Sequence, residues 1–457
     1  MTVLSDGLKD SPFREAGEPT PRLSRPSAID LVIGIDYGTR FTKIAVGTIH
    51  RRQVWQDAAG KRLFPSIVHV APDGTVTSYP ERPPTGAERI EYLKMLLADP
   101  NLDVFRSVRS HVNGKPIRDV VRPLAAMFLS GLVMSVRTSM IRSLPVLSQR
   151  PVNWFLNLGV PVAHCDANFD VFKEVAAVAF YWAQHSPGKM KIDDLCAAYA
   201  HMVQAIDMVN SPASVVPELT AALHEFVRDP NRPDSLYGFF DIGGGTVDGA
   251  IFRINRTGEG FPLNIHAARV DCTGTMAVSR MMLAELYSKL PHYIEGPLLG
   301  FDERPNISIP LSEPLAFRDD QSARDHIQTL VATVIGKTRR QLYGQMFSAR
   351  VDASARDTPA LRVFLAGGGA NSAWYKTAIE RTFSERNLSQ WGLTGIRSDI
   401  VARPADYQQN DYPRFVIALG LADLSAALVD ARLPSQIQDA EPLPVRRSPT
   451  SITKDDV

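Results

Sequence analysis

Apolar residues recur along this chain in two rhythms. Short apolar runs closed by turn residues predict strands at Asp30–Asp36, Phe41–Gly47 and Ser66–Val70, the last before a Pro72-Asp73-Gly74-Thr75 turn. The first two run into each other through a tight Tyr37-Gly38-Thr39 turn, so an antiparallel meander is expected. Helical spacing then takes over at Thr85–Leu97 and Val120–Arg142, where Val121, Leu124, Phe128, Leu132 and Val136 form one core-facing stripe. A further strand at Trp154–Val162 precedes helices at Phe169–Gln184 and Asp193–Met208. A second strand-turn-strand spans Leu236–Ile254, followed by a strand pair and a helix at Ala277–Lys289. A long helix at Ser322–Met346 leads to a strand at Leu361–Ala366, and a last helix runs Arg414–Val429. Mixed strands followed by crossover helices, occurring twice, predict an α/β architecture in two lobes.

Composition bounds this picture. The chain has 457 residues and a formal net charge of +1, with 44% hydrophobic and 22% charged residues. That balance argues against a generally basic nucleic-acid binder. The segments 1–27 and 434–457 are proline-rich and poor in large apolar residues, so both are expected to be disordered tails. Cys165, Cys196 and Cys272 are far apart, which excludes a disulfide framework and suits a reducing, cytoplasmic setting. Cys165 and Cys196 read as buried apolar residues rather than nucleophiles. The longest mostly apolar stretch, Leu124–Val136, is short for a membrane span.

Three glycine-bearing turns, each after an apolar strand, carry the candidate chemistry. They are Asp36-Tyr-Gly38-Thr39-Arg40, Asp241-Ile-Gly243-Gly244-Gly245-Thr246-Val-Asp248 and Gly367-Gly368-Gly369. In the first two a strand delivers an aspartate, and glycine then lets backbone N–H groups approach an anion. Thr39 and Thr246 add hydroxyls. Asp36 and Asp241 repel phosphate, so their natural partner is a divalent cation such as Mg²⁺, held through water. Three consecutive glycines beside a β-branched strand weaken a sheet and call for a reason. Other motifs fail: Gly336-Lys337-Thr338 lacks the first glycine of a phosphate loop, and no close histidine pair suggests zinc.

In order and spacing these turns resemble the actin-like ATPase superfamily, most closely the nucleotide-binding domain of the 70-kDa heat-shock chaperones. The resemblance covers about Asp30 to Val429. It implies a two-lobed actin-like (ribonuclease H-like) fold, with lobe I at 28–230, lobe II at 231–412 and a helix at 413–433 returning to lobe I. It implies ATP/ADP and Mg²⁺ in the cleft, the first two turns on the phosphates and Gly367-Gly368-Gly369 on the adenosine. Lys94 resembles the lysine that reaches the γ-phosphate. Glu218, in Pro217-Glu-Leu-Thr-Ala-Ala222, is similar to the glutamate that positions water and metal; Leu219 stands where the family has proline. Pro161 resembles the strand end that links nucleotide state to lobe motion, and Gly420 the glycine that lets the last helix pack beneath the site. With Asp36 and Asp241 on the metal, Asp241 or Glu218 would orient the attacking water, and Asp248 would anchor the second hairpin or help the metal.

The departures are specific. Arg40 replaces the chaperones' second threonine, either as a phosphate donor or as a side chain that crowds the site. The helix that sandwiches adenine has no visible counterpart, and no β-rich peptide-binding domain or apolar linker follows Val429. The expectation is therefore a stand-alone, ATP-hydrolysing conformational switch for an unidentified protein partner. A filament-forming bacterial actin, for which self-association is required, and a non-hydrolysing nucleotide scaffold are the alternatives. A sugar kinase would need a substrate aspartate that is not evident.

Overall fold

The computed structural model describes residues 28–99, 111–185, 189–229, 232–233, 235–254, 263–271, 274–275, 329, 332–333, 337, 360–382, 393, 395–402, 407, 411–428 and 431–437. The helix expected at Ala277–Lys289, nearly all of that at Ser322–Met346, and Cys272 lie outside these residues.

The predicted hairpin of Asp30–Asp36 and Phe41–Gly47 is present, but the third strand beside it is Arg52–Val54, and the strand expected at Ser66–Val70 is shorter and belongs to a separate sheet. Strands β1 (Ile29–Asp36), β2 (Phe41–Gly47) and β3 (Arg52–Val54) are antiparallel neighbours, and β4 (Phe64–Pro65) also pairs with β2. A small sheet follows, with β5 (Val68–Val70) between β6 (Thr75–Ser78) and β7 (Glu88–Ile90). The helix expected from Thr85 starts late: β7 occupies its first half and α1 spans only Leu93–Ala98. The reason is local. Gly86 at φ 75° and Tyr92 at φ 61° are left-handed, so no helix can run through them.

Strands β8 (His111–Val112) and β9 (Lys115–Pro116) form a hairpin before α2 (Ile117–Ser143), whose predicted stripe is fully buried. By length and composition α2 could cross a membrane, but 56% of its apolar window is buried, as in a core helix. After α3 (Val146–Gln149), β10 (Val152–Val160) lies parallel to β1. The next helix, α4 (Val162–His185), is interrupted at Asn168, which explains why only its second part showed clean periodicity. A short strand, β11 (Met190–Lys191), joins the small sheet at β6, and α5 (Ile192–Ala205) follows. Strand β12 (Ala213–Pro217) lies parallel to β10, and the short helices α6 (Glu218–Ala222) and α7 (His224–Arg228) close this part of the chain.

The second large sheet repeats the plan of the first. Strands β13 (Leu236–Ile242), β14 (Val247–Ile254) and β15 (Leu263–Asp271) form an antiparallel meander. Strand β16 (Ala360–Ala366) lies parallel to β13, and after α8 (Ala373–Thr382), β17 (Gly395–Ile400) lies parallel to β16. The first sheet therefore runs β12-β10-β1-β2-β3, and the second runs β17-β16-β13-β14-β15-β18. In each, a three-strand meander is extended on the side of its first strand by two parallel strands.

Two cores hold the layers. One packs α1, α2, α4 and α5 on the first sheet. The other packs α6 and α9 (Tyr412–Leu421) among residues of both sheets, including Ala45 and Val216 of the first and Phe239, Phe252 and Leu263 of the second. Helix α9 reaches β1 because Gly34 has no side chain; a Cβ there would lie 2.5 Å from the Ala422 nitrogen. A Cβ at Gly420 would collide with the Ala221 carbonyl oxygen, so that glycine sets the close crossing of α9 over α6, as the sequence suggested. The last helix is shorter than expected: it stops at Leu421, and a 3₁₀ turn covers Leu424–Leu428.

The chain then crosses between layers. Strand β18 (Ala431–Arg432) joins the second sheet, parallel to β15, and Pro434–Gln436 forms a 3₁₀ turn where a tail was expected to begin. Ser435 hydrogen-bonds to Asp166 of α4 through both its hydroxyl and its backbone N–H, and Leu433 packs against both cores.

Candidate functional site

Each meander carries a predicted aspartate at or next to the end of its first strand, and hairpin register decides what faces it. In the first hairpin Asp36 stands directly opposite Lys43, whose Nζ donates to Asp36 Oδ2 at 2.8 Å. In the second, Asp241 stands opposite Asp248, a like-charge pair that costs stability unless something neutralises it. The Thr246 hydroxyl donates to Asp248 and answers part of that cost.

The two turns touch. A Cβ at Gly245 would lie 2.5 Å from Thr39 Cγ2, and one at Gly244 would lie 2.8 Å from Arg40 Cβ. The glycines thus let the hairpins approach at Thr39 and Arg40. The second turn is closed by Gly243 N–H donating to the Thr246 carbonyl at 2.9 Å. Gly274 and Thr275, which sequence reasoning did not single out, brace it by donating to the Gly245 and Gly243 carbonyls. The Arg40 guanidinium lies over the Phe41 ring, 5.0 Å from its centre.

Lys94 and Glu218 arrive from elsewhere. Glu218 opens α6 at the end of β12, and Lys94 sits in the first turn of α1. Their side chains are buried and paired, Nζ to Oε1 at 2.8 Å. Burial alone disfavours the Lys94 ammonium, but Glu218, Asp248 and Asp36 hold its pKa above the ordinary value. The expected direct reach of Lys94 to a phosphate is thus, in this structure, a salt bridge to the carboxylate that closes the site.

Glu218, Asp241 and Asp248 each bring a carboxylate oxygen within 4.8 Å of the others. Burial pushes the Glu218 carboxyl up to about 7, with Lys94 opposing and Asp36 and Asp241 adding to the rise. Burial and then Asp36 push Asp241 up to about 6, against Lys43 and Lys94. Asp248 is also raised well above the carboxylate range, first by burial. Together with Asp36, four buried carboxylates face the ammonium groups of Lys43 and Lys94, so full ionisation leaves negative charge uncompensated.

Glu218 Oε2, Asp241 Oδ1, Asp248 Oδ1 and Thr39 Oγ1 are buried without hydrogen-bond partners. Hard oxygens left unsatisfied in an acidic pocket are the donor set a Mg²⁺-like ion takes, directly or through water. The metal ligands expected from sequence were Asp36 and Asp241. Of these, Asp241 lies in the carboxylate group with Glu218 and Asp248, and Asp36 pairs with Lys43.

The third turn also converges here. Gly367, at φ 85°, follows β16, and a Cβ on it would collide with Asp241 Oδ1 and lie 2.5 Å from the Ile242 carbonyl oxygen. Only glycine fits that place, by conformation and by space. Gly369 N–H donates to the same Ile242 carbonyl at 2.9 Å, which ties the turn to the second hairpin. Pro161 follows β10 and, with Val162, Glu218, Asp248 and Arg269, lines a cavity of about 10 Å³ between the sheets, room for one water. Cys165 is buried and its thiol pKa is raised by burial, as an inert apolar residue requires; Cys196 is half-buried.

Lys43 is the residue that sequence reasoning missed. The available signal was a lysine seven positions after Asp36 in an otherwise apolar strand, since a tight hairpin puts those positions opposite each other. No protein-family model matches this chain, and no curated protein matches it.

Proposed function

We propose that the chain is a nucleotide-binding, Mg²⁺-dependent ATPase of the actin-like type, in which ATP lies between two lobes built on the two large sheets. One observation carries this reading. Two hairpins from separate but similarly ordered sheets meet through glycines at Thr39 and Arg40, beside a buried carboxylate cluster with unsatisfied oxygens. A plain interface between sheets has no use for buried like charges, whereas a polyphosphate with its metal needs glycine backbone on one side and carboxylates on the other.

Glu218, Asp241 and Asp248 would hold the divalent cation, which when bound supplies positive charge to the phosphates. The chain's own residues do the rest. Backbone N–H groups of the two turns cradle phosphate oxygens. Lys43 and Lys94 keep two positive charges at the site. Lys94 fixes Oε1 of Glu218, so the free Oε2 is held in one direction and can orient water or accept its proton; Asp241 Oδ1 is the other candidate. For a nucleotide to enter, the contacts of Gly244 with Arg40 and Gly245 with Thr39 must open, so binding and lobe separation are linked. A protein partner would read that motion.

The tight seat of Arg40 on Gly244 favours a second reading, a scaffold that binds nucleotide without turnover. Phosphate release from Mg-ATP by the purified chain, run beside Asp241→Asn, separates the two. Release by the wild type alone supports the ATPase. No release, with a melting temperature still raised by ATP, supports the scaffold. Neither response would remove the nucleotide reading.

A further inference from the structure

We propose that Ser66 is a positioning residue for polyphosphate binding: it ties the first glycine turn back so that the Thr39 N–H is presented to the anion. The inference rests on the nucleotide reading above and adds to it a residue that lies outside both hairpin turns.

Counting from each aspartate shows how the turns are held. In the second turn the carbonyls two and four residues after Asp241 are those of Gly243 and Gly245. They accept from Thr275 N–H at 2.9 Å and from Gly274 N–H at 3.2 Å. In the first turn the carbonyls two and four residues after Asp36 are those of Gly38 and Arg40. These are held in the same alternation, but by one residue. Ser66 Oγ donates to the Gly38 carbonyl at 2.6 Å, and Ser66 N–H donates to the Arg40 carbonyl at 3.0 Å.

Ser66 is itself fixed. It stands where the chain passes from β4, paired to β2, into β5 of the small sheet, and the Ile67 N–H closes on the Pro65 carbonyl at 2.9 Å. The Thr42 hydroxyl lies 2.9 Å from Ser66 Oγ. With the Ser66 proton committed to Gly38, Thr42 is the donor in that pair. Both hydroxyl-bearing residues are buried, so Thr42, Ser66 and Gly38 form a chain of hydrogen bonds away from water.

Peptide geometry then sets the donors. In a planar trans peptide the carbonyl and the following N–H point in opposite directions. Tying the Gly38 carbonyl to Ser66 turns the Thr39 N–H away from Ser66. Tying the Gly243 carbonyl to Thr275 does the same for the Gly244 N–H. Among the described residues neither N–H has an acceptor. The turns that carry them meet through Gly244 against Arg40 and Gly245 against Thr39. Donors held from behind in two touching turns are preorganised for an anion. The braces of the second turn are backbone groups, whereas the Ser66 hydroxyl is one that a substitution removes.

The test is binding calorimetry on the full chain with Mg-ATP, Mg-tripolyphosphate and Mn²⁺ alone, on the wild type, Ser66→Ala and Ser66→Cys, each at a temperature where it is folded. Ser66→Ala removes the tie to Gly38, and Ser66→Cys replaces it with a weak thiol donor of similar shape. Both should bind the two polyphosphates about five- to tenfold more weakly, because an N–H that is no longer aimed loses part of a charge-assisted hydrogen bond. Mn²⁺ affinity should stay unchanged, because Ser66 is bonded to the turn and not to Glu218, Asp241 or Asp248. If Ser66→Ala does not fold, Ser66→Cys carries the same comparison. Polyphosphate affinity unchanged beside a lowered melting temperature would reduce Ser66 to a structural residue and overturn the assignment. An equal loss of Mn²⁺ affinity would show a general loosening of the site and overturn it too. A wild-type chain that binds neither polyphosphate would remove the nucleotide reading itself, and this inference with it.

Discussion

Replacing Lys94 by methionine breaks the most buried ion pair among the described residues. The Lys94–Glu218 pair is separated by 2.8 Å, with side chains 5% and 2% exposed. At an effective dielectric of about 20 the attraction is ~6 kcal/mol, offset by the desolvation of both ions. Removing the cation strands Glu218 beside Asp241 and Asp248. Breaking a buried pair from one side costs about 3–5 kcal/mol, so Lys94→Met should lower stability by that amount at pH 8. In a chain of this size the melting temperature should fall by roughly 3–5 °C. The cost depends on pH, and its sign follows from the Glu218 carboxyl. That group's pKa is already raised to about 7 in the folded state, so its unfavourable charge is absent below the ordinary carboxylate range and grows as pH rises through 7. The variant should therefore lose less at pH 5 than at pH 8. Adding Glu218→Gln removes the stranded charge, so the double variant should regain most of the loss. Urea unfolding of the four proteins at both pH values measures all of this. A single-variant loss under about 1 kcal/mol at pH 8, or no rescue by Glu218→Gln, would show that the pair is not the buried, mutually dependent unit described here.

Other outcomes follow from the same geometry. Gly367→Ala should destabilise the fold by about 1–2 kcal/mol, because φ is 85° there and the new Cβ meets Asp241; its chemical denaturation midpoint should fall accordingly. Mg²⁺ or Mn²⁺ in the millimolar range should raise the melting temperature of the wild type at pH 7.5 and not that of Asp241→Asn/Asp248→Asn, and an equal rise in both would place the ion elsewhere. His266 is buried with both ring nitrogens unpartnered, and burial, with Arg253 adding, lowers its pKa to about 4. A lowered histidine pKa means that stability is complete above 6.5 and lost as pH falls towards 4, by up to ~3 kcal/mol. His266→Phe should flatten that part of the stability–pH curve, and an unchanged slope would show that other groups set it.

The strands that deliver chemistry were legible because the signals were dense: apolar runs ending in aspartate, then glycine. Gly34 and Gly420 show what was half-legible, since a glycine in an apolar element signals a close neighbour without naming it. The pairing of Asp36 with Lys43, and of Asp241 with Asp248, depends on hairpin register, which a turn sets only once its length is known. That is why the pairing of Lys43 with Asp36 was overlooked. The helix expected from Thr85 failed for another reason. Its apolar spacing fits both a strand and a helix, and the left-handed Gly86 and Tyr92 decide between them. The grouping of Glu218 with the second hairpin depends on how α6 is set against the other sheet, a tertiary fact without a local signature.

The crossing at residues 431–437 limits what the molecule can do mechanically. Arg432 is held to β15 in the second sheet and Ser435 to Asp166 on α4 of the first layer. Three peptide links join them, one entering Pro434, so the two anchors can separate by no more than about 11 Å. Within that reach, any displacement of the second sheet against α4 is stopped at this edge. The two hairpin turns meet in another way, through Gly244 against Arg40 and Gly245 against Thr39, with no covalent link between them. Lengthening the segment would remove that limit, and the second sheet and α4 would then be held together at this edge by side-chain packing alone.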